Sequence, residues 1–136
     1  MDLKLGAADI EQLIRKGLPV AGENGIAVEE VRSGYARIRF PFREGMLRPG
    51  GVISGPTLMA AADTAMYACV MAHVGPELMA VTTDMTLHFV NKAVRGDVVA
   101  EASLLKLGRR LVVMEARVLG GDGQLAAHVT GTYARP

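Results

Sequence analysis

Two residues on one apolar stretch have the chemistry to act on a carbonyl. From Pro49 to Pro76, Asp63 is the single Asp, Glu, Lys or Arg, and an isolated carboxylate costs several kcal/mol to bury unless it is neutralised or hydrogen-bonded. One reading makes Asp63 a structural group, bonded to a neighbouring backbone or to Thr64, or emerging at an interface. The other makes it a reactive carboxylate with a pKa raised by burial, serving as general base or nucleophile. Gly55 is the second residue. Backbone N–H groups at a helix start point outward without intrahelical partners, at the positive end of the dipole, where they can hold an oxyanion. A capping glycine and nothing more is the plainer reading of the same position.

Eight residues separate Gly55 from Asp63, about 12 Å of helix at ~1.5 Å per residue. One reacting carbonyl therefore cannot touch both within one chain. If both act, they come from different chains, with two helices antiparallel across a two-fold axis and two equivalent sites per dimer.

The helix carrying them is framed by clear stops. "REGMLRPGGVISG" reads as a loop, Ser54 or Gly55 as the N-cap, Pro56 as a first-turn proline, and "VGPE" as the stop, which predicts a buried helix over Pro56–Val74. Upstream, "AADIEQLIRKG" sets Ile10, Leu13 and Ile14 on one stripe of a short amphipathic helix ending at Gly17. The alternating run "GIAVEEVRSGYARIRFPF" predicts a hairpin about Ser33-Gly34. Downstream come four strand-like runs, "LMAVTTDMTLHFV", "GDVVAEASLLKLG", "RLVVMEARVLG" and "GQLAAHVTGTYAR", joined by the turn segments "NKAVRGD", "LGRR" and "GGDG". In the first run Thr83, Met85, Leu87 and Phe89 share a core face, with Thr82, Asp84, Thr86 and His88 on a polar face. No βαβ alternation is present. The class is α+β: one domain over residues 1–136, a curved, mostly antiparallel sheet wrapped around a long helix.

Composition narrows the functional classes. The chain has 136 residues, half of them apolar, only 4% aromatic and eight of them Met, so the core is aliphatic. A formal charge of +1 with interspersed signs lacks the broad basic surface of a nucleic-acid binder. Cys69 is the single cysteine, which excludes an internal disulfide framework and reads as an inert thiol in a reducing compartment. The N-terminal "MDLKLGAADIEQLIRKG" has no apolar run of signal-peptide length. The Gly55 to Val74 segment approaches membrane-spanning length, but Asp63, the alanines and the missing basic flanks favour a core helix of a cytoplasmic protein with no membrane partner. His73, His88 and His128 have no metal-ligand spacing and no carboxylate partner evident from sequence, and no phosphate-loop, dinucleotide or nucleophilic Ser motif occurs. We assign no metal and no cofactor.

"SGPTLMAAADTAMYAC", followed by "AVTTDMTLHFVNKAVRGDVVAEASLLKLGRRLVVMEARV" and "AAHVTGTYA", resembles the hotdog-fold acyl-CoA thioesterases of the phenylacetate-type (PaaI) family. The match runs over roughly Met46 to Ala134, with "ADTA", "AVTTD", "GD" and "LGRRL" in order. The resemblance implies a hotdog fold, an acyl-CoA substrate in place of any resident cofactor, and a homodimer or dimer of dimers. It implies that Asp63 activates water or attacks the thioester, that the Gly55 N–H of the partner subunit holds the carbonyl oxygen, and that Thr82 holds the water. The family's His-Gly-Gly at the helix start becomes Ser54-Gly55-Pro56 here, and Arg48 stands near the family's Asn or Gln. Coenzyme A contacts map onto Asn91, Lys92, Gly108, Arg109 and Arg110, where phosphates need cations or free N–H donors. The acyl pocket is expected at Met59, Met66 and Tyr67, with Met46 and Leu47. A non-catalytic acyl-CoA or acyl-carrier binding protein is the alternative. A hydratase or dehydratase of related fold ranks below both, since the helix-start His is absent.

Overall fold

The computed structural model describes residues 2–76 and 79–136. Helix α1 (Ala7–Gly17) and the short α2 (Pro19–Glu23) precede a hairpin of β1 (Ala27–Arg32) and β2 (Tyr35–Phe40). Arg32 pairs with Tyr35 across the two-residue Ser33-Gly34 turn, and Gly34 takes φ +76°, a left-handed conformation that glycine adopts without a Cβ penalty. The segment read as a plain loop carries a 3-10 turn (Glu44–Met46) and a miniature hairpin, β3 (Leu47–Arg48) with β4 (Val52–Ile53). That hairpin delivers the chain to α3 (Gly55–Val74). The last four strands are β5 (Val81–Phe89), β6 (Val98–Leu107), β7 (Leu111–Leu119) and β8 (Leu125–Ala134).

Six strands form one sheet in the order β1-β2-β6-β7-β8-β5, and each pairing is antiparallel. The sheet wraps α3, as the hotdog resemblance implies. The core is aliphatic: Ile38, Val98, Ala100, Val112, Met114 and Val118 from the strands meet Leu58, Ala61, Ala65, Met66 and Cys69 from the helix. Small residues set the spacing. A Cβ at Gly131 of β8 would lie 2.9 Å from Met66 Sδ, so the bare glycine lets α3 press onto β8 just where the helix carries its carboxylate.

Helix α3 begins at Gly55, one residue before the expected Pro56. Ser54 is the N-cap, with its Oγ accepting from Thr57 N at 3.3 Å and bonded to Thr57 Oγ1 at 2.8 Å, and Pro56 sits in the first turn. Gly75 caps the C-terminus at φ +96°. Of the "VGPE" stop and the strand run starting at Leu78, Glu77 and Leu78 lie outside the described residues. The helix is long and apolar enough to cross a membrane by length and composition, but 61% of that window is buried inside the fold.

One departure bears on the site. The sequence makes α3 a buried helix throughout, yet Pro56, Met59 and Ala60 are exposed and Asp63, Thr64 and Tyr67 only half-buried. At 3.6 residues per turn these fall on one stripe. The protomer's own sheet leaves that stripe open, beside the equally open edge strand β5, whose residues are exposed except for the half-buried Met85 and Leu87.

Candidate active site

Asp63 stands on the open stripe of α3, so it is half-buried where the sequence implied full burial. Two hydroxyls converge on one of its oxygens. Thr82 Oγ1 donates to Asp63 Oδ1 at 2.7 Å, and the Tyr133 hydroxyl donates to the same atom at 2.6 Å and lies 3.0 Å from the Asp63 carbonyl oxygen. Thr64 takes no part, since its Oγ1 bonds back to Ala60 O at 2.8 Å. Asp63 Oδ2 has no hydrogen-bond partner among the described residues. The carboxylate thus has one oxygen fixed and one available.

The side of the sheet from which Thr82 acts differs from the alternation read in the sequence, and the cause is a β-bulge. Thr82 pairs with Tyr133 and Asp84 with Thr132, leaving Thr83 as the extra residue. The inserted residue reverses parity. Thr82 therefore shares its face with Met85 and Leu87, toward α3, while Thr83 turns its hydroxyl to Thr132 O at 3.1 Å. Phe89, placed on the core face by the alternation, is 58% exposed on the open edge.

Tyr133 escaped sequence reasoning, because a tyrosine in a terminal strand has no local signature. The signal available was the period-two pattern of "HVTGTYA", which puts Gly131 and Tyr133 on one face of β8. Burial first, then the neighbouring Asp63 carboxylate, push the Tyr133 phenol well above its usual range, so it stays a proton donor to Asp63. Its ring stacks on Tyr67, one helical turn beyond Asp63, with centroids 6.1 Å apart and planes 18° apart. Asp63, Thr82, Tyr67 and Tyr133 line a cleft of about 500 Å³ together with residues of α1.

Gly55 lies in a different cleft. Together with Arg48, Phe89, Asn91 and Lys92 it lines a cavity of about 650 Å³ at the start of α3. The Gly55 N–H donates to none of the described residues, so the helix start presents an available donor there. Ser54, by contrast, spends its hydroxyl on the cap. Asn91 Nδ2 donates to Leu125 O at 2.9 Å, while Lys92 and Arg48 are exposed. The turn with Gly108, Arg109 and Arg110 borders neither cleft. It sits at the other end of the sheet from Asn91 and Lys92, where Leu111 and Val81 both pair with Ala134. Gly108 N–H is engaged by Leu111 O at 2.9 Å, and a Cβ at Gly108 would lie 2.7 Å from that oxygen, so this glycine serves the turn and its N–H is not free for a phosphate. Of the acyl-pocket residues expected from the sequence, only Tyr67 lines the Asp63 cleft. Met46 and Met66 are core residues, and Met59 is 45% exposed on the open stripe.

The three histidines are structural or at the surface. His73 is buried, and His128 faces the Glu115 carboxylate at 3.5 Å, a partner that sequence did not disclose.

Comparison with known proteins agrees with this fold. The thioesterase superfamily model matches residues 50–127. A structure from Silicibacter sp. TM1040, provisionally named a thioesterase, is 34% identical, with a TM-score of 0.90 over all of this chain and 95% of its own. A protein from Saccharolobus solfataricus, provisionally named an esterase, is 26% identical over 129 residues, which is 95% of this chain and 85% of that protein. The PaaI protein of E. coli, from the phenylacetic acid degradation operon, is 21% identical with a TM-score of 0.81, covering 96% of this chain and 93% of its own, and so shares the fold.

Proposed function

The chain belongs to the thioesterase superfamily, and from that premise we propose that it hydrolyses acyl-CoA thioesters at a site built by two copies of the chain, in the manner of the PaaI-type enzymes. The observation that carries the reading is the convergence of Thr82 and Tyr133 on Oδ1 of Asp63. Two donors on one oxygen hold the carboxylate plane and direct Oδ2 outward, which is the pre-organisation a general base needs. Thr82 gives its own proton to Asp63, so its oxygen is left to accept from a water lying between it and Oδ2.

That water attacks the thioester carbon while its proton passes to Asp63. The carbonyl oxygen becomes an oxyanion and is held by the Gly55 N–H of the second copy. Collapse breaks the C–S bond, and the coenzyme A thiolate takes the proton from Asp63. Direct attack by Oδ2 would instead form an anhydride. The hydroxyl of Thr82 beside Asp63, suited to holding a water, favours the general-base route. The need for a second copy follows from distance: about 12 Å of helix separates Gly55 from Asp63, and the two line separate clefts. The open stripe of α3 and the open edge of β5 are the surfaces on which a second copy would dock, as a dimer or as half of a dimer of dimers. The basic residues of the Gly55 cleft, Arg48 and Lys92, would face the coenzyme A phosphates, with Arg109 and Arg110 at the opposite end of the sheet. The chemistry proposed uses side chains and backbone alone, with no resident cofactor, in a cytoplasmic enzyme.

Free-thiol release from a panel of aliphatic and aryl acyl-CoAs tests the reading. The wild type should turn over at least one of them, and Asp63→Asn should slow it by roughly 10²-fold or more. Equal rates for the two proteins on every member would overturn it. Tight calorimetric binding without turnover would point to a non-catalytic acyl-CoA binding protein.

A further inference from the structure

The Asp63 cleft has an unexpected wall. Leu13, Ile14 and Leu18, from α1 and the residue that follows it, line the cleft together with Tyr67, Tyr133, Ala80, Val81 and Thr82. Among the described residues lining this cleft, Asp63 is the sole charged side chain, whereas the Gly55 cleft carries Arg48 and Lys92. The two halves of the proposed site are therefore sorted by chemistry, one basic and one apolar.

We propose that the cleft between α1 and the Tyr67–Tyr133 pair seats the acyl group of the thioester, that this group is an uncharged aliphatic chain or aryl ring, and that Leu13 and Leu18 set its size. The inference rests on the thioester reading, since it places the acyl chain directly beyond the carbonyl that Asp63 addresses. An acyl group ending in a second carboxylate meets an apolar wall and a like charge at Asp63, both unfavourable to it. The wall is fixed in place. Ile10 and Ile14 of α1 are core residues, Arg15 Nε and Nη2 donate to Ile26 O at 3.1 and 2.9 Å, and Glu11 Oε1 accepts from Val28 N at 2.8 Å. Helix α1 is thus pinned to the start of β1, with Leu13 and Leu18 left to meet a ligand. Leu18 is 57% exposed, so its side chain is available for burial by a bound chain.

Calorimetric binding of CoA thioethers, which cannot be hydrolysed, separates this inference from the catalytic one. S-octyl-CoA and S-benzyl-CoA should each bind the wild type at least about tenfold more tightly than CoA, because burial of apolar surface accounts for the difference, and S-(4-carboxybutyl)-CoA should gain nothing. The ratio of the octyl to the benzyl affinity tells chain from ring. Leu18→Arg, at an exposed position, should raise the carboxybutyl affinity about tenfold relative to octyl, and Leu13→Phe should lower the octyl affinity relative to CoA by filling the cleft. Equal affinities for all four ligands, no binding of any, or ratios unmoved by both variants would overturn the inference. A protein that shows the ratios without thioester turnover would refute the catalytic reading and leave the acyl cleft standing.

Discussion

Tyr133 and Asp63 lie 70 positions apart in the chain, and the phenol of one donates to Oδ1 of the other at 2.6 Å. The contact exists because Gly131, two residues before Tyr133, has no side chain to hold α3 away from β8. Tyr133→Phe keeps the ring and its stacking on Tyr67 but removes the donor, so Asp63 loses one of the two bonds that orient it. A hydrogen bond to a charged group contributes about 1.5–3 kcal/mol. If most of it serves to hold the base, kcat should fall by on the order of tenfold or more while KM changes little. Steady-state kinetics on the best substrate of the panel read this directly. An unchanged kcat would make Tyr133 a packing residue only.

The division of Gly55 and Asp63 between two clefts yields a test by mixing inactive chains. Asp63→Asn removes the proposed base and Gly55→Pro the proposed oxyanion donor, at the first helical position, where proline is commonly accommodated. In a heterodimer of the two variants, one site combines Asp63 of one chain with Gly55 of the other and is intact, and the second site has lost both. After the homodimers are unfolded together and refolded, about half the dimers are mixed and each holds one good site of two. Activity should therefore return to about a quarter of the wild type. No recovery above the sum of the separate variants would exclude the shared site.

Some of this was legible in the sequence because it is local. The helix boundaries follow from Ser54, Pro56 and Gly75, the hairpin from Ser33-Gly34, and the antiparallel arrangement from the absence of βαβ alternation. Asp63 was conspicuous because no other charge accompanies it. The face of Thr82 was not legible, since the bulge at Thr83 is set by pairing with β8 and reverses an alternation that looked regular. Nor was the lining of the Asp63 cleft. Met46 and Met66 are held in the core and Met59 lies on the open stripe, while the side of the cleft facing Asp63 comes from α1, brought there by tertiary packing alone. The half-burial of Asp63 was hidden too, because a helix apolar on all sides does not reveal which stripe its own sheet leaves open.

The alkaline limb of the stability curve should be steep. Burial pushes the Cys69 thiol from 9.0 up to about 12. Burial, and then the Glu101 carboxylate that accepts its hydrogen bond, push the Tyr35 phenol from 10.0 to about 12, and Tyr133 is raised further. In each case the folded chain holds the proton more tightly than the unfolded chain. The stabilisation is therefore complete below about pH 9 and is lost as pH rises, first through Cys69 and then, above 10, through the tyrosines. Urea midpoints measured from pH 8 to 11 should decline, with Cys69 contributing at most about 1.4 kcal/mol per pH unit. Cys69→Ala should flatten the limb above pH 9, and an unaltered slope would count against this assignment. The same burial predicts that a thiol reagent leaves the native protein unmodified at pH 8 and reacts once urea unfolds it.

His73 tests the scaffold apart from the chemistry. It is buried to 3% exposure, its Nδ1 lies 2.8 Å from Cys69 O, and its Nε2 lies 2.8 Å from Gly34 N. Since the Gly34 N–H can only donate, Nε2 is the acceptor and the proton sits on Nδ1. The ring thereby ties the C-terminal end of α3 to the tip of the β1–β2 hairpin, whose Gly34 carbonyl also accepts from Leu104 N at 2.9 Å. His73→Phe keeps the volume but strands the Gly34 N–H, which should cost about 2 kcal/mol and lower the urea midpoint. His73→Gln retains an acceptor and should lose less. Ten residues of helix, about 15 Å, separate this latch from Asp63, so kcat of the folded variants should stay within about twofold of the wild type. A large fall in kcat at unchanged stability would show instead that the hairpin tip communicates with the site.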